Sequence, residues 1–160
     1  MSEPLQRLLD VMRRLRDPQG GCAWDRAQTM ASIMPHTLEE AHELAEAVAA
    51  GEPSAIRDEL GDLLFQVVFV ARIAEERGEF DFDAVATAIA DKLERRHPHV
   101  FGERTALSAA QQSDAWEGLK AAERARQKRE PGAPDPAAEL RSRLRLETPA
   151  TGGGWTSGYG

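Results

Sequence analysis

The feature that most constrains this chain is an apolar run interrupted by acids. Leu60, Leu63, Leu64, Phe65, Val67, Val68, Phe69, Val70 and Ile73 point in nearly every direction around a helix stepping about 100° per residue. A helix that is apolar on all sides is predicted to be buried on all sides. Glu59, Asp62 and Gln66 nevertheless fall within one arc of roughly 60°. Ionised carboxylates in a core are costly unless they are paired or hold a metal. That arc therefore calls for a cationic partner.

A second acidic cluster lies just upstream, Glu39-Glu40-x-x-Glu43, with residues 44–58 separating it from Glu59-x-x-Asp62. Spacings of three or four residues put side chains on one helical face, and the two segments are close enough in sequence to form a helical hairpin. On the first helix Leu38, Ala41, Leu44, Ala45 and Val48 make an apolar face, and Glu39, Glu40, Glu43 and Glu46 an acidic one. If the acidic face meets Glu59 and Asp62, the converging carboxylates repel one another without cations. All-oxygen ligation suits Mg²⁺ or Mn²⁺. The plainer reading is a solvated acidic face, with Thr37-x-x-Glu40 a capping box that makes Glu40 a helix-start device. Neither accounts for Glu59 and Asp62 inside an apolar helix.

Composition narrows the classes. At 160 residues the chain can bury one core of its own. A net charge of −7 argues against a nucleic-acid binder, which needs a basic face. It leaves room for a small polyanion neutralised by metal and local cations. The single cysteine, Cys22, excludes an intramolecular disulfide and a multi-cysteine zinc site. No apolar run reaches membrane-spanning length, because Arg72 and Glu75 close the longest one. The N-terminus lacks the basic-then-apolar order of a signal peptide, so a cytoplasmic location is expected.

In chain order, Ser2 and Pro4 open a first helix whose inward stripe is Leu5, Leu8, Met12 and Leu15. Asp17-Pro18 and Gly20-Gly21 stop it. In the loop that follows, Trp24 is either a base-stacking platform or a plug under the loop, and the sequence alone favours the plug. Cys22 has no adjacent base to activate it. The acidic helix begins between Thr29 and Thr37, with Pro35 near its start or kinking it. Gly51, Glu52 and Pro53 turn the chain into the apolar helix, about residues 54–77, which Gly78 ends. Asp81 or Asp83 caps the next helix, with Val85, Ile89 and Leu93 along its apolar line. Lys92 and Arg96 lie about 40° apart and straddle that line. They either bridge to the carboxylate cluster or hold phosphate oxygens, for which Arg has the right fork of donors. His97-Pro98-His99 ends this helix. Ser108-x-x-Gln111 is a capping box for a last helix carrying Trp116 and Leu119. No strand-like alternation of any length occurs, so the fold is expected to be all-α. Residues 1–130 are expected to form the domain, and 131–160, rich in Pro and Gly, a largely disordered tail.

Taken together, these residues resemble the signature of the MazG-type nucleoside triphosphate pyrophosphohydrolases, of the all-α NTP pyrophosphatase superfamily. The acidic motifs carry the resemblance, with Gly21-Cys22-Ala23-Trp24-Asp25, Gln28-Thr29, Gly61-Asp62-Leu63-Leu64-Phe65-Gln66, and the block from Asp91 to Phe101. It covers roughly residues 5–130. The resemblance implies a helical bundle assembling as a homodimer or homotetramer. It implies Mg²⁺-dependent cleavage of a nucleoside triphosphate to monophosphate and pyrophosphate, with damaged nucleotides among the substrates. By position, Glu40, Glu43, Glu59 and Asp62 match the family's metal ligands, and Glu39 the remaining acid, a candidate for orienting or deprotonating water. Lys92, Arg96 and Trp116 match substrate-contacting positions, and Trp24 joins them as a candidate contact. Many family members carry two such domains in tandem. The Trp24-Asp25 and His97–Phe101 blocks resemble the first copy, and the proline-rich tail stands where the second would be.

Two rival readings exist. Glu39-x-x-His42 and Glu94-x-x-His97 fit the Glu-x-x-His motif of di-iron carboxylate bundles, although the helical wheel turns Glu94 and His97 outward. A non-catalytic helical partner-binding module is the other.

Overall fold

The computed structural model describes residues 1–102 and 107–126. Among these it is all-α: α1 (Glu3–Leu15), α2 (Ala23–Ala27), α3 (Met30–Ala50), α4 (Pro53–Glu76), α5 (Phe82–Arg96), α6 (Pro98–Phe101) and α7 (Ala109–Arg126). The expected tail, 131–160, lies outside the described residues.

The organising unit is the α3–α4 hairpin, the most extensively packed pair of helices. Helix α3 starts earlier than the Thr37 motif suggests. Its capping box is Thr29 with Ser32, each side chain bonded to the other's backbone N–H, at 3.1 and 2.8 Å. Thr37 is interior, and its hydroxyl donates to the Ile33 carbonyl at 3.2 Å. The capping role proposed for Glu40 is thereby excluded, and its carboxyl is free for other work. Pro35 sits within the helix without ending it. Gly51, at φ 75°, closes α3 through its N–H to the Ala47 carbonyl at 3.0 Å, and Pro53 opens α4 with the φ its first turn needs. Gly78, at φ 69°, ends α4 in the same left-handed way. Asp81 caps α5 through the Ala84 N–H at 2.8 Å, and the Ser108–Gln111 box forms as expected.

The core lies at one end of this hairpin. Met12 from α1, Ile33 from α3, and Val68, Phe69 and Ile73 from α4 are fully enclosed, with Leu8, Leu9, Met34, Phe65 and Phe82 around them. Each such side chain contributes about 1.5–3 kcal/mol by leaving water. This corrects the expectation for α4. Only its C-terminal half is buried, whereas Leu60, Leu64 and Val67 are 50%, 39% and 40% exposed. The apolar line of α5 is likewise open, with Ile89 and Leu93 at 48% and 41%. Among the described residues no element covers those stripes.

One ion pair ties α1 to the far end of α4. Arg16 donates from Nε and Nη2 to the Glu76 carboxylate (2.9 and 2.7 Å), and from Nη1 to the backbone carbonyl of Asp25 at 2.6 Å. Its guanidinium also lies 5.5 Å from the centre of the Phe69 ring. Arg16 thus fixes the loop carrying α2 to the core. The Arg16 hydrogen bonds, assisted by Arg72, hold the Glu76 carboxyl below the usual carboxylate range, although burial acts the other way. A depressed folded pKa stabilises above the ordinary carboxylate pKa and is lost as pH falls through the folded value. Glu76→Gln should therefore lower the urea midpoint at neutral pH, and the difference from the parent should vanish in acid. Parallel urea titrations at the two pH values check this.

Candidate metal and phosphate site

The hairpin brings the two acidic motifs together, away from the core. Carboxylate oxygens of Glu40, Glu43 and Glu59 all lie within 4.8 Å of one another. Turn geometry explains this. In an antiparallel hairpin, moving up α3 from Glu40 to Glu43 matches moving down α4 from Asp62 to Glu59, so each acid faces an acid. Asp62 lies outside the tight group but close enough to raise the pKa of both Glu40 and Glu59. Glu39 is exposed on the flank of α3.

The electrostatics are those of a site short of positive charge. Burial of the carboxyl, then the charges of Glu43 and Asp62, push Glu40 above the usual carboxylate range. The same causes in the same order raise Glu59, with Asp58 adding to them. One oxygen of each, Oε2, is buried with no hydrogen-bond partner among the described residues. Buried oxygens without donors are rare in folded proteins and call for a missing partner. Convergent hard oxygens carrying negative charge fit Mg²⁺ or Mn²⁺. A third orphaned oxygen belongs to Gln66, which is 6% exposed and one turn beyond Asp62 on the same face of α4.

The second group of predicted residues assembles elsewhere. Arg96, at the end of α5, donates from Nε (3.2 Å) and Nη2 to the Glu123 carboxylate on α7, and its guanidinium lies 4.8 Å from the Trp116 ring centre. His97 packs 5.1 Å from Trp116 and donates from Nδ1 to the Leu93 carbonyl at 2.7 Å. Lys92 is exposed and makes no ion pair among the described residues. The bridge between the α5 cations and the acidic cluster does not form. Glu123 was not a sequence candidate, although it lies about two turns after Trp116 on the same face of α7.

Trp24 is not the plug that the sequence favoured. It is 51% exposed on α2 and meets His36 edge to face, with ring centres 5.4 Å apart. His36 lies one turn before Glu40 on α3, so the aromatic pair borders the acidic cluster. Of the two Glu-x-x-His motifs, neither histidine joins the carboxylates: His42 is exposed and His97 is against Trp116.

An all-α hairpin that converges carboxylates from two helices is a candidate metal site. Residues 28–101 match the family model described as the MazG nucleotide pyrophosphohydrolase domain. Residues 28–101 are therefore those of a MazG domain. It is 53% identical over 121 residues to the nucleoside triphosphate pyrophosphohydrolase of Escherichia coli K12, covering 76% of this chain and 46% of that protein. It is 45% identical over 123 residues to the nucleoside triphosphate pyrophosphohydrolase/pyrophosphatase MazG of Thermotoga maritima, covering 77% and 46%. The chain thus spans about half the length of the curated relatives it matches. The crystal structure of a mazG-related protein from Thermotoga maritima superposes with a TM-score of 0.60 at 26% identity, covering 72% of this chain and 98% of that one.

The orphaned oxygens give a direct test. Mg²⁺ or Mn²⁺ should raise the thermal midpoint of the parent protein, by about 2.7 kcal/mol of stability at a hundred-fold excess over Kd. Glu59→Gln should raise the midpoint of the chelator-treated protein, because one like charge is removed, and should abolish most of the metal-induced rise. Differential scanning fluorimetry with and without metal reads both effects.

Proposed function

We propose that the protein hydrolyses nucleoside triphosphates to the monophosphate and pyrophosphate in a reaction that depends on Mg²⁺ or Mn²⁺. The observation carrying this reading is the convergence of Glu40, Glu43 and Glu59 within 4.8 Å, with two orphaned Oε2 atoms. The MazG domain and the printed activities of the relatives point to the same chemistry.

The residues divide the work by their chemistry. Glu40, Glu43, Glu59 and Asp62 would hold the metal. A bound divalent ion supplies the positive charge that polarises water and phosphate. Glu39, exposed beside the cluster, orients the attacking water or takes its proton. Arg96 and Lys92 bind phosphate oxygens and receive the charge that develops on pyrophosphate. Trp24 and Trp116 offer aromatic faces to the base and sugar. No nucleophilic side chain is required, and exposed Cys22 is not given a role. Damaged or otherwise non-standard nucleotides are proposed as the substrates to be removed.

Cleavage in ¹⁸O-labelled water should place label in the monophosphate, as attack at the α-phosphorus requires. Label in the pyrophosphate would overturn this mechanism. Arg96→Ala should cost about 1.5–3 kcal/mol in kcat/KM, the scale of a charged hydrogen bond. Lys92→Ala should cost less, since its ammonium acts as a point charge.

A homodimer or homotetramer is also proposed. The open stripes of Leu60, Leu64 and Val67 on α4 and of Ile89 and Leu93 on α5 support it, since exposed apolar stripes mark interaction surfaces. Leu64→Glu should shift the mass measured by light scattering toward that of one chain. An unchanged mass would place the interface elsewhere.

A further inference from the structure

We propose that Glu123 is a positioning residue for phosphate binding: it holds one edge of the Arg96 guanidinium so that the other edge is presented to the polyphosphate. The proposal rests on Arg96 binding phosphate, as inferred above.

The geometry is that of a side-on pair. Arg96 donates from Nε at 3.2 Å and from Nη2 to the two oxygens of Glu123. The two side chains are only 12% and 17% exposed. Trp116 covers the flat face of the guanidinium at 4.8 Å. A guanidinium carries five N–H donors in a rigid fork. The pair uses two of them along one edge, and Nη1 makes no hydrogen bond among the described residues. With one edge bonded and Trp116 beside it, Arg96 is restrained, and its remaining donors make no hydrogen bond among the described residues. A planar fork fixed in this way can meet a phosphate without first losing side-chain freedom.

Charge argues for positioning over competition. Arg95 also donates to Glu123, from Nη2 at 3.3 Å. Two guanidiniums on one carboxylate leave the trio with a net positive charge, so Glu123 does not cancel the attraction for phosphate. The Arg96 hydrogen bonds hold the Glu123 carboxyl down to about 2, so it is ionised at neutral pH. A phosphate that pulled Arg96 away would leave Glu123 with Arg95 alone, its longer contact at 3.3 Å. The clasp also matters because α7 buries no residue of its own. Helix α7 lies beyond the residues matched by the MazG domain, so this part of the site comes from outside it.

The test is a double-mutant cycle on the full chain with Mg²⁺, reading pyrophosphate release from a nucleoside triphosphate. Glu123→Ala and the isosteric Glu123→Gln should each lower kcat/KM about ten-fold, mainly through a higher KM. In the Arg96→Ala background, Glu123→Ala should cause less than about a two-fold further loss, because the group it positions is gone. A full ten-fold loss persisting in that background would overturn the proposal. So would a lower KM in Glu123→Ala, which would make the carboxylate a competitor of phosphate. Loss of helicity by circular dichroism in both Glu123 variants would assign the residue to the fold and overturn it as well. If Arg96→Ala alone leaves kcat/KM unchanged, the phosphate-binding reading of Arg96 fails first. A loss in Arg96→Ala with none in Glu123→Gln defeats the positioning role alone.

Discussion

Like charges are held together here by apolar packing at a distance. Glu40, Glu43, Glu59 and Asp62 repel one another, and nothing at the acidic end of the hairpin offsets that repulsion from within the described residues. The other end does: Ile33 on α3 and Val68, Phe69 and Ile73 on α4 close on Met12 and exclude water. The helices are rigid over the intervening turns, so packing at one end sets the spacing at the other. The acidic cluster is thus a strained region borne by a core one to two turns away, an arrangement that functional sites commonly adopt.

Arg16 extends this support to the rim of the site. Its bonds to Glu76 and to the Asp25 carbonyl anchor the short helix that presents Trp24. Trp24 then meets His36 one turn from Glu40, so the aromatic rim and the carboxylates share α3 as their reference. The phosphate-side residues have a separate anchor. Arg96 depends on Trp116 and Glu123, and that clasp in turn ties down α7, none of whose residues is fully buried.

Much of the acidic site was legible because helical spacing is a local property. Glu40 and Glu43, like Glu59 and Asp62, share a face whatever surrounds them, and Gly51-Glu52-Pro53 announces the turn that sets them opposite each other. Several other readings failed for a common reason. Thr37 has the pattern of a cap, but Thr29 with Ser32 makes a complete box about two turns earlier and takes the start of the helix. Trp24 has the composition of a plug, yet it lies exposed against His36 and the core closes on Phe69 and Met12 without it. An apolar residue's own identity does not say which neighbour reaches it first.

The sequence by itself determined the all-α character of the described residues, the hairpin and the pairing of acids on each helix. These follow from the 3.6-residue period and from turn residues that act within a few positions of themselves. Only the tertiary structure decided that α4 is buried along half its length and leaves Leu60, Leu64 and Val67 open. It alone placed Arg96 against Glu123 instead of the acidic cluster, and left Oε2 of Glu40 and Glu59 without a donor among the described residues. Those outcomes depend on which distant helix occupies a given face. Neither the pattern of a single helix nor its charge carries that information.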